Sequence, residues 1–155
     1  MKNAKPLLLF SILLLTAACI HKTGGSVTPW ERVNTYNAAL AEANNGLERG
    51  AEAVVTSGLA PVAEMAPIIN YSGQVALVHQ QVTAILAQGQ ATQANIAAIR
   101  NLLAVIKKTL IANLPTSALG LKNPKTQQTF AADVFNVGSL ADALLAALEA
   151  TGGGG

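Results

Sequence analysis

The 155-residue chain has one cysteine, Cys19, so no disulfide can form within it and its stability must come from packing. Aromatic residues are scarce: beyond position 18 only Trp30, Tyr36, Tyr71, Phe130 and Phe135 remain. No charged side chain occurs from Met65 to Ile99. The two histidines, His21 and His79, are far apart, and no His/Cys/carboxylate cluster has metal-ligand spacing. A Cys-x-x-Cys-His haem attachment, a Ser/His/Asp constellation, a phosphate loop and a nucleotide fingerprint are all missing. Glu48 and Glu52, four apart, read as a solvated helix face rather than an acid/base pair. The expectation is a non-enzymatic protein with no catalytic residue, no cofactor and no metal ligand.

What is present is dominated by alanine, the strongest helix former, and by leucine, isoleucine and valine at helical spacing. The formal charge of +2 belongs to Lys2 and Lys5; the rest of the chain is neutral but unevenly so. Residues 19–64 carry a net −2, residues 65–125 a net +5, and residues 126–155 a net −3. Blocks of this kind suit acidic outer helices flanking a basic middle within one bundle. They lack the strong basic excess and aromatic interleaving of a nucleic-acid binder, so no nucleic-acid partner is expected.

Lys2 and Lys5 precede an apolar run from Pro6 to Leu15, broken by Ser11 and followed by the small residues Thr16, Ala17 and Ala18. Charge, apolar body and small residues in that order are the pattern of an export signal. The run from Pro6 to Ala18 is shorter than the roughly 20 residues that span a bilayer, which argues against an uncleaved anchor. Leu15-Thr16-Ala17-Ala18-Cys19 resembles the lipobox of bacterial lipoproteins, with Leu15 four places before the cysteine rather than the usual three. The resemblance implies cleavage after Ala18, a diacylglycerol on the Cys19 thiol, and a further acyl chain such as palmitate on the new N-terminus. It implies a membrane partner through the lipid anchor and a place in the cell envelope. Ile20 follows Cys19 where an Asp would retain a Gram-negative lipoprotein at the inner membrane, so the outer membrane, facing the periplasm, is the expected site in such a host. It covers the export segment alone, residues 1–18 as signal and 19–27 as a polar, flexible tether.

Beyond the tether the pattern is helical. Thr28-Pro29-Trp30-Glu31 is a capping box with proline at the first helical position. Val33, Leu40, Leu47 and Val54 then recur every seven residues, with Tyr36, Ala43 and Gly50 between them, and Gly58 is the expected stop. A second stripe runs through Ile68, Tyr71, Val75, Val78, Val82 and Ile85, with Pro67 expected to separate 61–66 as a turn. The same phase continues through Gly89 and Thr92 to Ile96, Ile99, Leu103 and Ile106. One reading is a continuous helix of about 50 residues, about 75 Å long; the other is a turn at 88–92. Length matching favours the turn, with helices near 29–57, 61–88, 92–113 and 124–150. Asn123-Pro124 opens the last of these, and Gly138-Ser139 is expected to kink or split it. Thr151 and the following glycines form a tail.

The expected fold is all-α: an up-and-down four-helix bundle over 28–150, with an elongated three-helix arrangement as the alternative. In the bundle, Lys107, Lys108, Lys122 and Lys125 are expected near Glu48 and Glu52. The expected function is an envelope lipoprotein presenting a helical surface to a protein partner or to itself. Two alternatives stand beside it: a carrier of an apolar ligand, with Ala43, Gly50, Gly73 and Gly89 leaving a cavity between helices, and a phage-encoded envelope lipoprotein acting in superinfection exclusion or lysis.

Overall fold

The computed structural model describes residues 27–113 and 123–152, and their side chains apart from those at 109–113, 129 and 152. Within them the chain is all-α, with four helices and no strand: α1 (Pro29–Thr56), α2 (Val62–Leu86), α3 (Gln93–Asn113) and α4 (Pro124–Gly152). α1 packs on α2 and α4, and α3 packs on α2 and α4, so the helices stand in chain order around a common core. Side-chain bonds set the α1/α2 register. Asn44 reaches Ser72 and Asn37 reaches Thr83, so α2 ascends as α1 descends and the pair is antiparallel. Two short connections joining antiparallel neighbours give the up-and-down arrangement.

The sequence signals at the helix ends act as their chemistry requires. The Thr28 hydroxyl accepts from the Glu31 N–H at 3.2 Å while the Glu31 carboxylate accepts from the Thr28 N–H at 2.7 Å, which satisfies two otherwise orphan donors. Donation to that carboxylate from the Thr28 N–H, and from the Thr28 hydroxyl at 3.0 Å, holds the exposed Glu31 carboxyl below its ordinary range. α1 closes in a Schellman motif: Gly58 adopts φ +71, Leu59 N–H donates to Val54 O, and Gly58 N–H donates to Val55 O. Gly89, at φ +68, occupies the left-handed conformation just after α2. The backbone leaves the helix there, which removes the long central helix of the three-helix alternative. Asn123 caps α4 through Lys125 N–H to Asn123 Oδ1 at 2.9 Å. Glu64, in the first turn of α2, accepts from the Asn123 N–H at 3.1 Å and so ties the start of α4 to the start of α2.

Three local expectations are corrected. Pro67 does not end a turn; it sits inside α2. Proline there costs the bond to the Ala63 carbonyl, but Ala63 is exposed, and burial of Met65 and Ile68 on either side of Pro67 holds the helix in line. α4 is continuous through Gly138-Ser139, because Ser139 Oγ donates back to Phe135 O at 3.0 Å instead of capping a new helix. α4 also continues through Thr151 and Gly152, where the tail was expected, and Thr151 Oγ1 donates to Leu148 O.

The core is filled by large side chains from all four helices. Leu40 and Leu47 of α1, Met65 and Ile68 of α2, Ile99 and Leu103 of α3, and Phe130 and Leu144 of α4 are fully buried. Burying each such group contributes about 1.5–3 kcal/mol. α4 is long and apolar enough to cross a membrane by length and composition, yet its Phe130, Val134, Val137, Ala141, Leu144 and Leu148 stripe lies in this core.

Candidate interaction surface

Of the residues singled out in the sequence for chemistry, Cys19 lies outside the described residues, as do residues 20–26 of the tether and Lys122. Lys107 falls elsewhere than expected. Lys107 forms an ion pair with Asp142 of α4 at 2.6 Å. It is not drawn to Glu48 and Glu52 because α1 and α3 stand at opposite corners of the bundle, each in contact with α2 and α4. Glu48, Glu52 and Lys108 are exposed. Among the described residues, no three His, Cys, Asp or Glu side chains come together in a group able to hold a metal.

Of the small residues expected to line a ligand cavity, Gly89 borders an open groove and Gly50 faces an aromatic ring. A Cβ at Gly50 would lie 3.3 Å from Phe130 Cε1, so the ring already fills that space. Gly73 and Gly89 are exposed, and Ala43 is half-buried. An open groove of about 320 Å³ does lie at one end of the bundle, between the start of α1 and the end of α2, lined by Trp30, Asn34, Thr83, Leu86 and Gly89.

The α1/α2 seam holds buried polar groups that the hydrophobic stripe did not reveal. Asn37 and Asn44, each only 2 % exposed, face α2. Asn37 Nδ2 donates to Thr83 Oγ1 at 2.9 Å, and Asn44 Nδ2 donates to Ser72 O at 3.1 Å. The other amide atoms, Asn37 Oδ1 and Asn44 Oδ1, have no partner, and neither do Tyr71 OH and His79 Nδ1. Each buried, unpaired polar atom costs about 1–3 kcal/mol. Burial also pushes the Tyr71 phenol well above its ordinary pKa. Spaced seven residues apart on α1, Asn37 and Asn44 each fix one point of register against α2. That is the role single buried asparagines play in coiled coils, where they set register at a cost in stability. The signal was in the sequence, as Asn-x6-Asn in phase with Val33, Leu40 and Leu47, but hydropathy reads asparagine as outward.

The most unusual surface is the outer face of α2. Its inner face buries Met65, Ile68, Tyr71, Val75, Val78, Val82 and Leu86. On the opposite side Val62, Ile69 and Leu77 are 61 %, 42 % and 58 % exposed. Gly73 and Ala84 fall on the same stripe and are exposed too. α2 is therefore apolar on both sides, with Glu64 as its one charged residue. A helix apolar all round is normally covered all round, and an exposed apolar row of this length marks a contact surface. The five residues of the row need only α2 to position them: they recur at four- and seven-residue intervals, and the inner stripe, locked into the core, aims them outward.

No family model matches the chain, and no curated protein and no solved structure gives a match.

Proposed function

We propose that this chain is a non-enzymatic lipoprotein of the cell envelope. Its Cys19 is acylated, its residues 19–27 serve as a tether, and its helical domain offers the outer face of α2 to a protein partner or to a second copy. The observation that carries the reading is α2 itself, apolar on the core side and carrying the exposed Val62, Ile69 and Leu77, with no charge among them, on the side the bundle leaves open. Support for the anchor comes from the export signal and the lipobox-like Leu15–Cys19 segment. In a Gram-negative host, Ile20 after the cysteine favours the outer membrane, with the bundle in the periplasm.

The test of the anchor is Cys19→Ser. The wild-type chain is expected in the detergent phase of a phase-separation assay and to incorporate labelled palmitate. The variant is expected in the aqueous phase, unprocessed at Ala18–Cys19. A variant that is still cut and still partitions with membranes would overturn the lipoprotein assignment.

A further inference from the structure

We propose that the α1/α2 seam is a built-in opening: residues 71–86 of α2 part from α1, starting at the groove, while α1 and α3 stay packed on α4.

The placement of orphan polar atoms is the first observation. Among the described residues, four buried side-chain atoms lack a hydrogen-bond partner: Asn37 Oδ1 and Asn44 Oδ1 on α1, and Tyr71 OH and His79 Nδ1 on α2. None of the four is on α3 or α4. The asparagines face α2 through their bonds to Thr83 and Ser72. His79 follows Ser72 by seven residues, two turns on along the same side of α2. Closed, the seam denies these atoms the bonds that water would give them; parted, it restores those bonds. The restored bonds offset part of the cost of exposing Val75, Val78 and Val82. Little is lost from the bonds that cross the seam, because Thr83 Oγ1 keeps its own bond to His79 O. Parting α4 from the bundle would expose Phe130, Val134 and Leu144 with no such offset on that helix.

The ends of α2 are the second. At one end the seam is already parted, by the groove of about 320 Å³ that has Thr83 and Leu86 on its wall. Residues 87–92, which carry α2 into α3, are exposed throughout, so burial does not hold this end down. The other end is fastened. Glu64 accepts from the Asn123 N–H at the start of α4, and Met65 and Ile68 are fully buried. Between the fastened turns and the seam atoms sits Pro67. Proline takes one bond out of the helical ladder, and helices bend most readily at such a point. α2 is thus held at its start, softened at Pro67 and loose at its far end.

The packing order is the third. α4 touches both α1 and α3, so these three helices keep a common core when 71–86 swing out. An opening of that size is a sub-global unit, with a free energy below that of complete unfolding.

The experiment is amide hydrogen exchange on the full chain in mild detergent, with each rate taken relative to that of an unstructured chain. The amides of Val75, Val78 and Val82 are expected to exchange about 10-fold or more faster than those of Val134 and Val137 in α4. Equal protection in the two helices would overturn the proposal. Phe130→Leu then separates a local opening from a global one, because Phe130 packs beside Gly50 of α1 and that contact is intact in the open state. It should speed exchange in α4 by about 5-fold or more, as a core truncation does, and leave the α2 rates unchanged. If the α2 amides accelerate together with those of α4, they exchange only through complete unfolding and the opening is refuted. Asn37→Leu combined with Asn44→Leu keeps the branching of both side chains and removes both orphan oxygens. It should slow exchange in α2 by about 10-fold; rates that stay level or rise would show that the buried polar atoms do not drive the opening, and the proposal would fall. The first two measurements leave the seam unaltered and decide the matter even if the leucine pair disturbs the fold.

Discussion

Tyr71→Phe separates the cost of a buried polar group from the benefit of the ring that carries it. The residue is 5 % exposed and packs with the core, but its hydroxyl is buried and unpaired. Phenylalanine keeps the ring and its packing and deletes only the oxygen. An unpaired buried hydroxyl costs about 1–3 kcal/mol, so the variant should be more stable at neutral pH by about 1–2 kcal/mol, read from urea titrations as a higher midpoint with an unchanged slope. The pH dependence gives an independent reading. Burial raises the Tyr71 pKa in the folded chain above its unfolded value near 10. The native state therefore holds its proton while the unfolded state releases it, and stability present below pH 10 is lost as pH rises toward the folded pKa. At pH 11 the wild type should have lost a further 1.4 kcal/mol or so that Tyr71→Phe does not lose. A variant destabilised by more than about 1 kcal/mol at neutral pH would show that the hydroxyl makes a stabilising bond. A gap between the two proteins that stays constant from pH 8 to 11 would refute the burial argument.

Three further outcomes follow from the same packing. Leu40→Ala and Leu47→Ala, both at fully buried sites, should each cost about 2–5 kcal/mol in denaturant unfolding; a change below about 0.5 kcal/mol at both, as at surface sites, would place this stripe outside the core. Gly46→Ala, with open space around its new Cβ, should stabilise α1 by about 0.5–1 kcal/mol. Gly50→Ala gains the same propensity but presses on Phe130, so its midpoint should fall below that of Gly46→Ala, and Phe130→Leu should close the difference; equal effects at 46 and 50 would show that the Phe130 contact is slack.

Most of the architecture was legible because local chemistry announces helix ends. The Thr28 box, Gly58, the turn around Gly89 and the Asn123-Pro124 start each depend on a few adjacent residues, and each appears in the structure where the sequence put it. What was misread depended on residues distant in sequence. The heptad spacing of α1 predicts one buried line, Val33, Tyr36, Leu40, Ala43, Leu47, Gly50 and Val54. It packs on two neighbours, and Val33, Leu40 and Leu47 form a ridge between two flanks. Gly50 on one flank meets Phe130 of α4, while Asn37 and Asn44 on the other meet α2. Hydropathy ranks the first flank as inner and the second as outer, whereas the structure half-buries the first and fully buries the asparagines. Only the Thr83 hydroxyl and Ser72 carbonyl, 46 and 28 residues away, make their burial tolerable. The outer row of α2 was equally present in the sequence, but one helix with two apolar faces cannot be assigned an inside until its neighbours are known.

The Lys107–Asp142 pair joins α3 to α4, and both its side chains are well exposed, so it contributes about 0–1 kcal/mol. The core that joins the helices is apolar, with the Asn37–Thr83 and Asn44–Ser72 bonds between uncharged groups beside it. Sodium chloride screens charges and leaves such contacts nearly untouched. The fold should thus be indifferent to dilution and brine alike, its unfolding midpoint level from millimolar to several hundred millimolar salt. Such a domain keeps its shape in surroundings whose ion content the cell does not regulate.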